Sequence, residues 1–223
     1  MTQWFTRIEI RLNWQNLVRS QLAARLVTAA APIEDWRLAS SVPDMAANEP
    51  TAKNLAGLYE LAPLDWADVR RALEANLTQE PGTGGPGHHT FWLSTIDADG
   101  RPHMTAVGAF WSGGRYYFTG GPRSRKIRNL ERDPRCAFGV AIHGYDVALE
   151  GRAARVTDDA LLHRLAQVFA EGGWAPTVAN GGFTHDYSAP SAGPPPWYVY
   201  EFTPEDAYAV MTKEPGGATR WTF

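Results

Sequence analysis

Cysteine occurs once in the chain, at Cys136, so no internal disulfide can staple the fold. It stands in the apolar run CAFGVAI, the setting of a small buried side chain rather than a reactive thiol. No run of about 18 apolar residues occurs, so no segment reads as a membrane-spanning helix. Charge of one sign is scarce as well: 21 Lys and Arg against 24 Asp and Glu leave a net −3. That is not the broad basic face needed for nucleic-acid or membrane-surface binding. Metal ligation lacks its pattern, because His88, His89, His103, His143, His163 and His185 form neither a helical i, i+4 pair nor a zinc spacing with Cys136. No G-x-S-x-G stretch occurs, and no carboxylate pair stands out as general acid and base. The expectation is a soluble cytoplasmic protein with no metal site and no nucleic-acid or membrane partner.

What is present is enough for a substantial core. The 223 residues are 44% hydrophobic and include nine tryptophans, which excludes global disorder. Residues 1–44 read as an amino-terminal extension with four arginines, one glutamate and Trp14, Val18, Leu22 and Leu26 at helical spacing within its first thirty residues. Two readings stay open, an amphipathic leader or surface helix and an upstream read-through before a start at Met45. Residues 45–87 read as a helical lead-in followed by a linker. One helix is capped by Thr51; a second spans about 65–78, begins at Asp65 and buries Trp66, Val69, Leu73 and Leu77. The stretch EPGTGGPG at 80–87 is a linker, lacking the Lys-Ser/Thr ending of a phosphate loop.

Residues 88–223 change texture to short strands and tight turns. HHTFWLSTI, RPHMTAVGAFW, RYYFT, CAFGVAI, DVALEGRAARV, WYVYEF and AYAVMT read as strands, with RSRKIRNLERD and DDALLHRLAQVFAEGG as intervening helices. Without a βαβ rhythm a doubly wound nucleotide fold is excluded. The expected class is mainly β with helices, a small antiparallel barrel of about six strands.

The most informative stretch is FTGGPRSRKIRNLERDPR, residues 118–135, which holds five arginines and a lysine. Gly120, Gly121 and Pro122 end a strand, and Ser124 is placed as the N-cap of a helix. Its first amides then point outward, an arrangement that attracts anions. Arg123, Arg125 and Lys126 crowd that end against the helix dipole, which favours acids there. A bound phosphate resolves the conflict; an ordinary charged surface helix is the other open reading. Arg128 and Arg132 are expected to be solvated, paired with Glu131 and Asp133.

The arrangement DGRPHMTAVGAFW, RYYFTGGPRSRKIRNLERDPRCAFGV and VALEGRA resembles the pyridoxamine 5'-phosphate oxidase-like split-barrel family, best over about 88–156. The resemblance implies a homodimeric, six-stranded split barrel that binds FMN or coenzyme F420. Thr119, Arg123, Ser124, Arg125 and Lys126 would surround the cofactor phosphate. His103, Met104, Thr105, Ala106 and Val107 would run along its ring. Trp197, Arg220 and Trp221 would close the pocket from the partner chain. It implies an oxidoreductase passing a hydride between F420 or FMN and a small conjugated substrate, or alternatively a non-catalytic FMN-, F420- or haem-binding protein. GRPHMTA with KIRNLERDPR is closer to the actinobacterial F420 branch, whereas the Ser-Arg-Lys triplet is equally the look of FMN proteins. The Arg-x-His arrangement by which true pyridoxamine phosphate oxidases grip substrate is not found; ATRWTF stands in its place.

Overall fold

The computed structural model describes residues 49–75, 90–171, 173–186 and 193–223. The expectations for residues 1–44 and Met45, the linker at 80–87, Leu77, His88 and His89 lie outside the described residues.

Period-two alternation of apolar and polar residues builds the main sheet. In β2 (Phe91–Ile96) Phe91, Leu93 and Thr95 are buried, and in β6 (Arg135–Ile142) Cys136, Phe138, Val140 and Ile142 are. In β7 (Tyr145–Arg155) Tyr145, Val147, Leu149, Gly151 and Ala153 turn inward while their neighbours face out, as one buried face requires. Phe138 sits at the centre of the aromatic core, its ring 5.0 Å from Phe202, 5.3 Å from Tyr116 and 5.5 Å from Phe118.

Every ladder is antiparallel. Among the described residues the main sheet has nine strands, and its path runs through seven of them: β1 (Thr51–Asn54), β11 (Ala218–Thr222), β10 (Tyr198–Met211), β7, β6, β2 and β3 (Pro102–Val107). β5 (Arg115–Gly120) joins the first half of β10, and β4 (Ala109–Ser112) pairs with β5. Where six strands are expected, the main sheet has nine among the described residues, and no ladder there joins β3 to β4. Part of the excess is Thr51–Asn54, expected as the start of a helix. It lies instead along the edge of β11, with Ala52 opposite Trp221, because the open edge offers the backbone partners that a four-residue segment cannot supply itself. Asn54 then turns the chain, accepting from the Ala56 amide at 2.9 Å and donating to Leu61 at 2.8 Å.

WYVYEF and AYAVMT are halves of one strand. β10 buries Phe202 and Pro204, then Ala207 and Ala209, and the register shifts between Pro204 and Asp206. The bulge inserts one residue and resets the phase, which made the segment read as two strands. Opposite it lies Gly151, where an added Cβ would sit 2.1 Å from the Thr203 carbonyl oxygen. The bulge therefore demands glycine on the facing strand.

Among the described residues three α-helices flank the sheet. The Asp65 carboxylate caps α1 (Trp66–Glu74) by accepting from the Ala67 amide at 2.8 Å. Trp66 packs between Trp111, Trp221 and Phe223. α2 (Arg125–Arg132) follows β5, and α3 (Asp159–Glu171) begins where Asp158 accepts from the Leu161 amide. α3 buries Leu162, Leu165 and Phe169 in a second cluster with Tyr117, Phe183 and Val199. A small hairpin, β8 (Thr177–Ala179) and β9 (Gly182–Thr184), fills part of the expected 175–196 excursion.

Gly151→Ala is expected to destabilise the protein by about 1–3 kcal/mol, the usual cost of overpacking. Gly139→Ala, whose Cβ meets nothing within 4 Å, should leave the urea midpoint nearly unchanged. Equal midpoints for the two variants would contradict the role given to the bulge.

Candidate functional site

The site is built where β5 hands the chain to α2. Thr119 is half-buried near the end of β5, opposite Val199 of β10. At Gly120 an added Cβ would stand 2.6 Å from the Ile127 side chain and 3.2 Å from Cε of Lys126. The helix start thus packs directly on the bare glycine. The Ser124 amide donates to the Gly121 carbonyl at 2.9 Å, and the Ser124 carbonyl accepts the first helical bond from Arg128. Ser124 occupies the N-cap position, as expected, but its hydroxyl makes no capping bond. That oxygen is buried and has no hydrogen-bond partner among the described residues.

Lys126 is the unusual residue. Its side chain is only 8% exposed, and no hydrogen bond or ion pair engages its ammonium among the described residues. Burial pulls the group below the ordinary lysine value, as it must where the charged form loses water and gains no partner. Within the first turn of α2 stand a lysine and a serine hydroxyl without partners among the described residues, together with the amides that a helix N-terminus leaves free. All are donors, so the arrangement can hold an anion. This donor set fits the phosphate of a flavin-type cofactor.

Arg125 is placed differently from Lys126. Its guanidinium reaches Asp97 of the β2–β3 turn, Nε to Oδ1 at 2.9 Å and Nη2 to Oδ2. Asn129 donates to the same carboxylate at 2.8 Å and to Thr95 at 3.1 Å. These contacts tie α2 to the hairpin that begins β3. The Arg125 and Asn129 hydrogen bonds, opposed only in part by desolvation, hold Asp97 at about 2. Thr95, Asp97 and Asn129 were not expected as site residues. Asp97 and Asn129 are thirty-two positions apart, and nothing local in DADG or in the helix announces their pairing.

β3 carries His103, Met104, Thr105, Ala106 and Val107 and is bonded along one side only, to β2. Its other edge is unpaired among the described residues. Met104 is 64% exposed. Arg123 is exposed, and its carbonyl accepts from Arg128 at 2.6 Å. The expected pairing of Arg128 and Arg132 with Glu131 and Asp133 is not formed: Asp133 binds Arg135 at 2.6 Å. Arg128 donates instead to the Arg123 carbonyl, and Arg132 to the Ile96 carbonyl and, at 3.4 Å, to Asn129 Oδ1.

The three carboxyl-terminal residues are engaged within their own chain. Trp197 is 2% exposed, bridges to Phe183 and donates to the Gly193 carbonyl at 3.1 Å. Trp221 is 1% exposed in the main core. Arg220 grips Asp206 at 2.8 and 3.0 Å and lies over the Tyr208 ring. Arg220 pairs in register with Tyr208, whereas Gly120 pairs with Tyr198. The two places are roughly 30 Å apart along β10, so a single chain does not bring Arg220 or Trp221 to Lys126.

A family model described as pyridoxamine 5'-phosphate oxidase matches residues 83–211, more than half of the chain, and the chain belongs to that family. No curated protein matches it. Among solved structures, a pyridoxamine 5'-phosphate oxidase-related, FMN-binding protein from Nostoc punctiforme is 17% identical, with a TM-score of 0.47 over 71% of this chain and 89% of its own. A conserved hypothetical protein from Mycobacterium tuberculosis is 20% identical, with a TM-score of 0.46 over 66% and 84%. A protein named F420 reductase is 17% identical, with a TM-score of 0.43 over 66% and 98%. Likenesses of this degree carry no argument about activity.

The Asp97 network sets an acid limit on stability. Its folded value lies below the ordinary 3.8, so its contribution is present above that value and lost as pH falls toward about 2. Between about pH 4 and about pH 2 the Tm of the wild type should fall more steeply than that of Asp97→Asn. Parallel curves would contradict this.

Proposed function

We propose that the protein is an oxidoreductase that binds a flavin-type cofactor, F420 or FMN, and works as a homodimer on a small conjugated substrate. The observation that carries the reading is Lys126: a buried ammonium without a counter-ion among the described residues, two positions after Ser124 with its unpartnered hydroxyl, at the first turn of α2. A structural lysine has no reason to bear that cost, whereas a phosphate seated there converts it into binding energy. Family membership supports the same assignment.

Within this reading each residue has a definite task. Lys126, Ser124 and the first amides of α2 hold the phosphate, and Thr119 borders it from the end of β5. Gly120 lets the helix start sit close to the strand. Asp97 and Asn129 act through position alone: they fix α2 against the β2–β3 hairpin, which sets the phosphate end relative to β3. The unpaired edge of β3 offers backbone donors and acceptors to a polar ring edge. Ala106 and Gly108 leave room for a flat ring to approach. When bound, either cofactor supplies the hydride chemistry itself, which accounts for a site without a dedicated acid–base pair.

The test is a fluorescence titration of the unliganded wild type and Lys126→Met with FMN and, separately, with F420 at near-physiological salt. The wild type should bind one of them, and Lys126→Met should bind it less tightly by about 1.5–3 kcal/mol. Without cofactor, Lys126→Met should be the more stable protein by about 1 kcal/mol, because a buried unpaired charge has been removed. Binding of neither cofactor by the wild type, or equal binding by both proteins, would overturn the reading.

A further inference from the structure

The outward face of α2 carries a second feature. Arg125, Arg128 and Arg132 recur at spacings of three and four and share one stripe, while Lys126, Ile127, Asn129 and Leu130 turn inward. The stripe faces the β2–β3 turn across an open depression of about 420 Å³, lined by Asp97, Asp99, Arg101, Arg125, Arg128 and Arg132 among others. Both carboxylates there are already engaged. Asp97 is held by Arg125 and Asn129, and Asp99 by Arg101 at 2.6 Å.

Arg128 and Arg132 have no carboxylate partner among the described residues. The Arg123 and Ile96 carbonyls, with Asn129 Oδ1 at 3.4 Å from Arg132, fix the two guanidiniums in place but neutralise neither. Four arginines against two aspartates leave two positive charges facing a concave surface. Each guanidinium presents five N–H donors; one carbonyl on Arg128, and one carbonyl with one amide oxygen on Arg132, occupy only part of each fork.

We propose that this depression binds the phosphate group of a small phosphorylated molecule, at a site separate from Lys126. Two positioned guanidinium forks one helical turn apart suit the several oxygens of a phosphate better than a single carboxylate. The volume is that of a small-molecule site, and the net charge of −3 on the chain lacks the broad basic face that a nucleic acid needs. Arg128 and Arg132 make the contacts; Arg125 and Arg101 keep the two aspartates from repelling the ligand. The proposal does not rest on the cofactor reading, since it uses the opposite face of α2.

The experiment is calorimetric titration with inorganic pyrophosphate at low salt, using the full chain in the Lys126→Met background so that the inner site is disabled. That protein should bind pyrophosphate, and adding Arg128→Gln and Arg132→Gln should weaken binding by about tenfold or more at an unchanged ligand-free Tm. If the triple variant is less stable, Arg128→Gln alone in the same background, which gives up only a carbonyl contact, should still weaken binding several-fold. No binding to the Lys126→Met protein, or affinity unchanged by the arginine substitutions, would overturn the proposal. Loss of cofactor binding alone, with pyrophosphate binding intact, would touch only the inner site.

Discussion

An ammonium buried without a counter-ion among the described residues is the constraint around which this end of the molecule is arranged. Lys126 is 8% exposed, and desolvation lowers its hold on a proton. Removing a charge from water without a partner works against folding, so the surrounding structure must hold the group in place. It does so by packing. Gly120 lets the first turn of α2 press onto the end of β5, Ile127 and Leu130 anchor the helix in the core, and Asn129 ties it to Asp97.

The sheet makes that packing possible. β10 is the long strand that meets β5 in its first half, β11 in its second and β7 along most of its length. The bulge after Pro204 keeps both halves facing the core despite one inserted residue. At one end of β10 the Gly120 turn and α2 are presented; at the other, Trp221 and Arg220 are absorbed into local contacts. The two faces of α2 divide the charge accordingly. The inner face carries one lysine without a partner among the described residues, and the outer face carries Arg125 held by Asp97 and Arg128 and Arg132 held by carbonyls.

Local signals were legible in the sequence, and long-range ones were not. Asp65 and Asp158 cap helices, Pro134 follows the end of α2, and the Gly113–Gly114 and His143–Gly144 turns fall between strands, because cap and turn chemistry acts over a few residues. The cluster at Ser124 and Lys126 was visible because basic residues at a helix start oppose the dipole. Three things were hidden. Thr51–Asn54 joins an edge that lies some 165 positions away in the chain, β10 hides its continuity in a phase change, and Asp97 finds Arg125 and Asn129 only once the hairpin and helix are packed. The same packing separates Arg125 from Lys126, adjacent residues that spacing alone had joined in one role.

The most direct test of the central claim is the titration of Lys126 itself, followed by carbon-13 NMR of the lysine ε carbons with Lys126→Met as the assignment control. Without ligand its pKa should lie below the ordinary lysine value. Saturation with the cofactor that binds should raise it, because a phosphate beside the ammonium favours the charged form. An ordinary value without ligand, or a value that saturation leaves unmoved, would mean that Lys126 is not the anion anchor.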